Sequence, residues 1–195
     1  MNSTDTLRLF LAIQIPETVR AELQRLQSEL KPLLPANAVR WAKPEQFHLT
    51  LKFLGDVPAG ELDALSEAAR AVCAVAPPLP LRAEGVGFFP NDFSPRVFWV
   101  EIKSRDKLLH TFQQQLDAAV QRFAEKQEAK NFAAHVTLAR FEKLRRGSVE
   151  KFMAPAKTTR LFGEWTAREV ELVQSKLLPS GAVHAPVAVF GTKNE

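Results

Sequence analysis

Two short stretches of the chain carry a histidine and a threonine two residues apart: His48-Leu49-Thr50-Leu51 and His135-Val136-Thr137-Leu138. In an extended strand successive side chains point to opposite faces. Each stretch can therefore aim an imidazole and a hydroxyl into a cleft while burying Leu49 and Leu51, or Val136 and Leu138, in a core. Histidine titrates near neutrality, so a pair can hold one neutral base and one charged acid together. In-line cleavage of a cyclic phosphodiester needs that combination. One group takes the proton from the incoming water, and another, on the opposite side of phosphorus, gives a proton to the departing oxygen. Threonine hydroxyls can donate hydrogen bonds to the non-bridging oxygens. Neither motif holds a carboxylate or cysteine that would complete a metal shell, so no metal or cofactor is expected. One such triplet is a weak signal; two, at matching places in two halves of the chain, are a strong one.

Elements able to hold two such strands follow from periodicity. Residues 7–15 alternate as a half-buried strand, with Leu7, Leu9, Leu11, Ile13 and Ile15 on one face. Pro16 and Glu17 open a helix whose stripe is Val19, Leu23, Leu26 and Leu30, and Pro32 and Pro35 close it. A short extended piece spans 39–41 and a turn 43–46. The first motif strand runs 47–54 and stops at Gly55-Asp56. A helix is expected over 58–76, with Cys73 as a small core residue. Strands follow at 79–87 and 96–103, separated by an aromatic loop, and the second is apolar on both faces and so central. A third helix spans 105–127 and the second motif strand 132–141. A basic loop at 144–148 ends in Ser148, a possible cap for a short helix to Met153. Strands at 159–162, 168–178 and 183–190 close the chain, the last two joined by a hairpin at Pro179-Ser180-Gly181. The order is α+β. A strand, a helix and a motif strand recur in each half, and no glycine-rich phosphate loop follows any strand.

The chain has 195 residues, enough for one domain or two lobes sharing a core, with ordinary hydrophobic and charged content of 46% and 25%. A single cysteine excludes an internal disulfide or a multi-cysteine metal site and suits a reducing compartment. No stretch reads as a signal peptide or membrane span, so the cytoplasm is the expected location. The net charge of +4 is compatible with a polyanionic substrate.

Taken together, these residues resemble the RNA 2′,3′-cyclic phosphodiesterases, also called 2′-5′ RNA ligases, of the two-histidine phosphoesterases. The resemblance is carried by Arg8-Leu9-Phe10, Arg40-Trp41, the run from Phe47 through Gly55, Phe89-Pro90, Pro95-Arg96-Val97-Phe98-Trp99 and the run from His135 through Arg140. It implies a bilobal α+β fold with pseudo-two-fold symmetry, in which two antiparallel sheets with outer helices face each other across a central cleft. Residues 1–195 would form one domain of two interleaved lobes, each carrying one motif. The implied activity is metal-independent opening of an RNA-terminal 2′,3′-cyclic phosphate to a 2′-phosphate, with 2′-5′ ligation in reverse. On that pattern His48 donates a proton to the leaving 3′ oxygen and His135 accepts one from water, while Thr50 and Thr137 bind the phosphate. Residue order alone does not separate acid from base. Expected partners are RNA ends or oligonucleotides bearing the cyclic phosphate, with no membrane and the chain acting as a monomer. Two other readings fit the residues: an RNA- or nucleotide-binding module without turnover, and a cyclic phosphodiesterase for another small nucleotide.

Other residues are assigned around this pair. Arg140 resembles a substrate-contacting arginine of the family, but simple alternation puts it opposite His135 unless a bulge intervenes. Phe10 suits either base stacking or the core. Alternation puts Lys52 on the His48 face, and Arg8 and Arg40 are candidates for the cleft rim. His110, in a helix, and His184, in the last strand, are read as structural. Many members carry a tyrosine in the terminal hairpin; this chain has no tyrosine, so that contact is not expected.

Overall fold

A computed structural model describes residues 5–125, 131–142, 152, 159–178 and 181–193. Its elements are β1 (Thr6–Gln14), α1 (Glu17–Leu30), β2 (Val39–Trp41), β3 (His48–Pro58), α2 (Leu62–Val75), β4 (Leu79–Phe89), β5 (Val97–Ser104), α3 (Leu108–Val120), β6 (His135–Phe141), β7 (Leu161–Ala167), β8 (Glu169–Leu178) and β9 (Gly181–Gly191). One-turn 3₁₀ segments join several of them; Pro44–Gln46 immediately precedes β3.

The strands form two antiparallel sheets, ordered β3-β1-β8-β9 and β2-β6-β5-β4-β7. Sheet membership crosses the halves of the chain: β8 and β9 join the sheet begun by β1 and β3, and β6 is inserted between β2 and β5. The expected α+β architecture of two antiparallel sheets is therefore observed, and β5 is the central strand of its sheet. Helix α1 covers β7, α2 covers β8 and β9, and α3 lies against β3 and β5. One continuous apolar cluster, including Leu9, Leu11, Leu23, Leu49, Leu51, Phe98, Leu116, Val136 and Leu138, runs through both sheets and all three helices. Truncating a fully buried leucine of this kind costs about 2–5 kcal/mol. Cys73 is in that core, and burial pushes its thiol up to about 11.

Several boundaries differ from those expected, each for a local reason. Gly55 is not the end of a strand. With φ +77° it sits in a bulge beside Leu54, and β3 continues to Pro58 against Thr6 of β1. The helix read as starting at 105 begins at Leu108, because Asp106 and Lys107 take positive φ and break it from the preceding turn. The second motif strand starts at His135 rather than 132. The basic loop at 144–148, the Ser148 cap and the last residues of the expected 105–127 helix lie outside the described residues. Among the described residues, no helix is long and apolar enough to cross a membrane.

Candidate active site

Both motifs sit on strands, and both strands are interrupted at the same point. In β3, Ala12 of β1 faces Thr50 and Leu11 faces Lys52, leaving Leu51 as an extra residue. In β6, Trp99 of β5 faces Thr137 and Phe98 faces Ala139, leaving Leu138 extra. Each motif thus ends in a bulge at the third residue after its histidine. A bulge re-aims the side chains beyond it. Before it, His48 and Thr50 share the half-buried face, as do His135 and Thr137, with Leu49, Leu51, Val136 and Leu138 in the core. After it the faces exchange. Lys52 turns inward, 4% exposed, and pairs with Asp117 of α3 at 2.6 Å. Its expected place beside His48 is therefore corrected: a buried ammonium found its counter-ion behind the sheet. Phe53 and Arg140 turn outward instead, onto the faces of their histidines.

Each bulge is held from behind by a glutamine. Gln113 of α3 donates to the carbonyl of Leu51 at 3.1 Å. Gln27 of α1 donates to the carbonyls of Leu138 and Ala42, both at 2.9 Å. Both side chains are buried, Gln27 almost completely. Apolar stripes conceal such residues, since a buried glutamine looks like a surface position in a helical pattern. The only available signal was that Gln27 falls one residue after Leu26 and four after Leu23.

The two imidazoles are held in matching ways. His48 Nδ1 lies 2.8 Å from the carbonyl oxygen of Gln46, and His135 Nδ1 lies 2.7 Å from that of Ala133. A carbonyl only accepts, so Nδ1 is the protonated nitrogen and Nε2 is left to exchange a proton. Strand β3 approaches β6 across the cleft. His48 is pushed down from 6.5 to about 4, first by burial, then by nearby His184 and, more weakly, by His135, against the Gln46 bond. His135 is also held below its ordinary value, first by burial, then by the Arg140 guanidinium, against the Ala133 bond. The hydroxyls of Thr50 and Thr137 make no hydrogen bond to the protein among the described residues, and both side chains are half-buried.

Aromatic rings back each histidine. Phe10 stacks on His48 at 4.9 Å between centroids. It is only 3% exposed, on a small apolar patch with Ala12 and Val173, so it forms the floor under His48 rather than an open surface for a base. Phe89 and Trp99 flank His135 at 5.0 and 5.9 Å. Phe53, 53% exposed and 5.9 Å from Phe10, is the open ring on the His48 side, a residue that alternation without a bulge hides. On the other side, Arg140 faces Arg40 directly across the β2–β6 pair, and both are exposed. Like charges placed opposite each other destabilise a sheet unless an anion lies between them. Arg8 is exposed on β1, opposite Asp56. His110 contacts Phe132, with ring centroids 5.4 Å apart. His184, read as structural, lies beside His48: its ring centroid is 5.3 Å from that of His48 and 5.0 Å from that of Phe10.

A family model described as LigT like phosphoesterase matches residues 13–99 and again residues 100–184, so each match contains one motif. The chain is 32% identical over 196 residues to the RNA 2′,3′-cyclic phosphodiesterase of Thermus thermophilus, covering 97% of this chain and 92% of that one. It is 31% identical over 187 residues to the protein of the same name from Archaeoglobus fulgidus, covering 94% and 99%. Among solved structures, TT0787 of Thermus thermophilus superposes with a TM-score of 0.81 at 30% identity, over 97% of this chain and all of that one. The fold also matches E. coli LigT complexed with 3′-AMP, with a TM-score of 0.78 at 22% identity and the same coverage.

Proposed function

The chain belongs to the LigT-like phosphoesterase family, and from that premise we propose that it opens the 2′,3′-cyclic phosphate at an RNA end to a 2′-phosphate. The observation that carries this reading is the matched pair of imidazoles, each bonded through Nδ1 to the carbonyl two residues before it. The names of the Thermus and Archaeoglobus relatives support the cyclic phosphate as substrate.

The cyclic phosphate sits between the motifs, with its non-bridging oxygens on the Thr50 and Thr137 hydroxyls. Neutral His135 takes a proton from water through Nε2 as the water oxygen attacks phosphorus. The bond from phosphorus to the 3′ oxygen breaks, and that oxygen receives the proton carried by His48 Nε2. The product is a 2′-phosphate and a free 3′ hydroxyl, and the two histidines have exchanged protonation states. The unequal flanks support this division of labour. A permanent cation at Arg140 favours the neutral form of His135, as a base requires. His48 has Phe53 at the corresponding position, so the anionic substrate is what favours its charged form. Arg40 and Arg140 attract the RNA backbone beside the reacting phosphate. The same steps reversed join a 2′-phosphate to a hydroxyl, which is 2′-5′ ligation. In this reading residues 1–195 act as one domain, the lobes exchanging strands and each supplying one histidine.

The test is hydrolysis of an oligonucleotide ending in a 2′,3′-cyclic phosphate, with EDTA present. The expected product is the 2′-phosphate, and His48→Ala and His135→Ala should each lower the rate by at least about 10²-fold. Full activity in either variant would overturn the mechanism. Tight RNA binding without turnover by the unaltered protein would favour a binding module.

A further inference from the structure

The β8–β9 hairpin does more than extend its sheet. Pairing between β1 and β8 ends at Leu9 and Gln174, while β8 and β9 stay paired as far as Leu178 and Gly181. Beyond Gln174 the hairpin is therefore an arm free of β1. In sheet order β9 is three strands from β3, yet Gln46, just before β3, donates from Nε2 to the carbonyl of Ala182 at 2.7 Å. The arm arches over β1 and is fastened at the start of the first motif. Two residues on, His184 meets the edge of His48 at an interplanar angle of 72° and the edge of Phe10 at 70°. Among the described residues His135 has no such neighbour, its ring contacts being Phe89 and Trp99.

We propose that His184 is a positioning residue of the reaction, a third active-site histidine that acts through His48 by controlling when His48 carries a proton. The proposal rests on the acid role given to His48 above. Among the described residues, the groups facing His184 are His48 on β3, Phe10 on β1 and, on β8, Ser175 directly opposite; Gln174 and Lys176, next to Ser175 along β8, alternate to the other face. Of the groups that face it only His48 is ionisable. Two imidazoles in edge contact resist being charged together. His184 is half-buried, and a charge on its ring works against a charge on His48, which burial already disfavours. His48 then stays neutral until an anion arrives beside it. The arm thus ties the charging of the acid to the presence of the phosphate.

The experiment has two readouts on the unaltered protein, His184→Gln and His184→Phe. The first is an NMR titration of the His48 ring without substrate; the second is the pH profile of kcat/KM on the cyclic-phosphate oligonucleotide. Neither replacement carries a charge, and phenylalanine keeps the ring packing. Both should move the His48 titration upward by about half a unit or more, the scale of one charge at this separation between solvent and protein dielectric. The pH optimum should move up with it. A His48 titration unchanged in both variants, or moved only by glutamine, overturns the inference, because packing rather than charge would then link the rings. The titration needs no turnover, so the two failures are distinct. A shifted titration in a protein that does not hydrolyse the substrate sinks the proposed reaction and leaves the coupling intact. An unshifted titration in an active enzyme does the reverse.

Discussion

Acidification should cost this protein stability, and a defined part of the loss belongs to His48. The native ring titrates at about 4 against an ordinary 6.5, chiefly because it is buried. Between those values the unfolded chain binds a proton that the native state refuses, so stability rises with pH across that window. The contribution is complete above about pH 6.5 and is lost progressively as the pH falls toward 4. Each unit of difference corresponds to about 1.4 kcal/mol, so the two units between the ordinary value and pH 4.5 amount to about 3 kcal/mol. His48→Gln removes the titrating group. It also removes the Nδ1 bond to Gln46, but that loss is nearly the same at every pH and cancels in the comparison. Urea unfolding followed by the fluorescence of the three tryptophans gives the free energy at about pH 7.5 and about pH 4.5 for both proteins. The unaltered protein should lose about 3 kcal/mol more than the variant over that interval. Equal losses in the two would refute the buried, proton-refusing state assigned to His48, whatever the activity of the enzyme.

Other consequences concern the second motif and the supports behind both. Arg140→Gln removes a cation that holds His135 down, so the His135 titration should rise and the acidic limb of kcat/KM should move to higher pH. The same variant should bind oligonucleotide with a salt dependence shallower by about one unit of slope in a log–log plot. Gln27→Leu and Gln113→Leu each strand a buried carbonyl at a bulge and should cost about 1–3 kcal/mol by urea unfolding. Activity should fall in both, and wild-type stability in either would show that the bulges need no support.

The pair of motifs was legible in the sequence because it rests on alternation, which holds from His48 to Leu51 and from His135 to Leu138. It fails one residue later in both strands, where each bulge adds a residue without changing composition. Alternation alone therefore puts Lys52 on the wrong face and gives Phe53 no place in the cleft, and Arg140 requires the bulge that the structure supplies. The α+β class and the central place of β5 follow from apolar patterning, whereas the antiparallel sheets and the interleaving of the lobes came only with the family resemblance, since pairing partners far apart in sequence leave no periodic trace. His184 is the clearest case. Its strand was recognised, and nothing local reveals that the arm carrying it leaves β1 and returns to the start of β3. Phe10 shows the complementary limit: it alternates onto the cleft side, but the two imidazole rings close over it.

The central claim is that His48 gives a proton to the departing 3′ oxygen while His135 takes one from water. A substrate whose 3′ bridging oxygen is replaced by sulfur tests it directly, because a thiolate departs without protonation. On that substrate His48→Ala should recover most of its lost rate and His135→Ala should remain impaired. Equal impairment of both variants, or recovery by His135→Ala instead, would contradict the assignment.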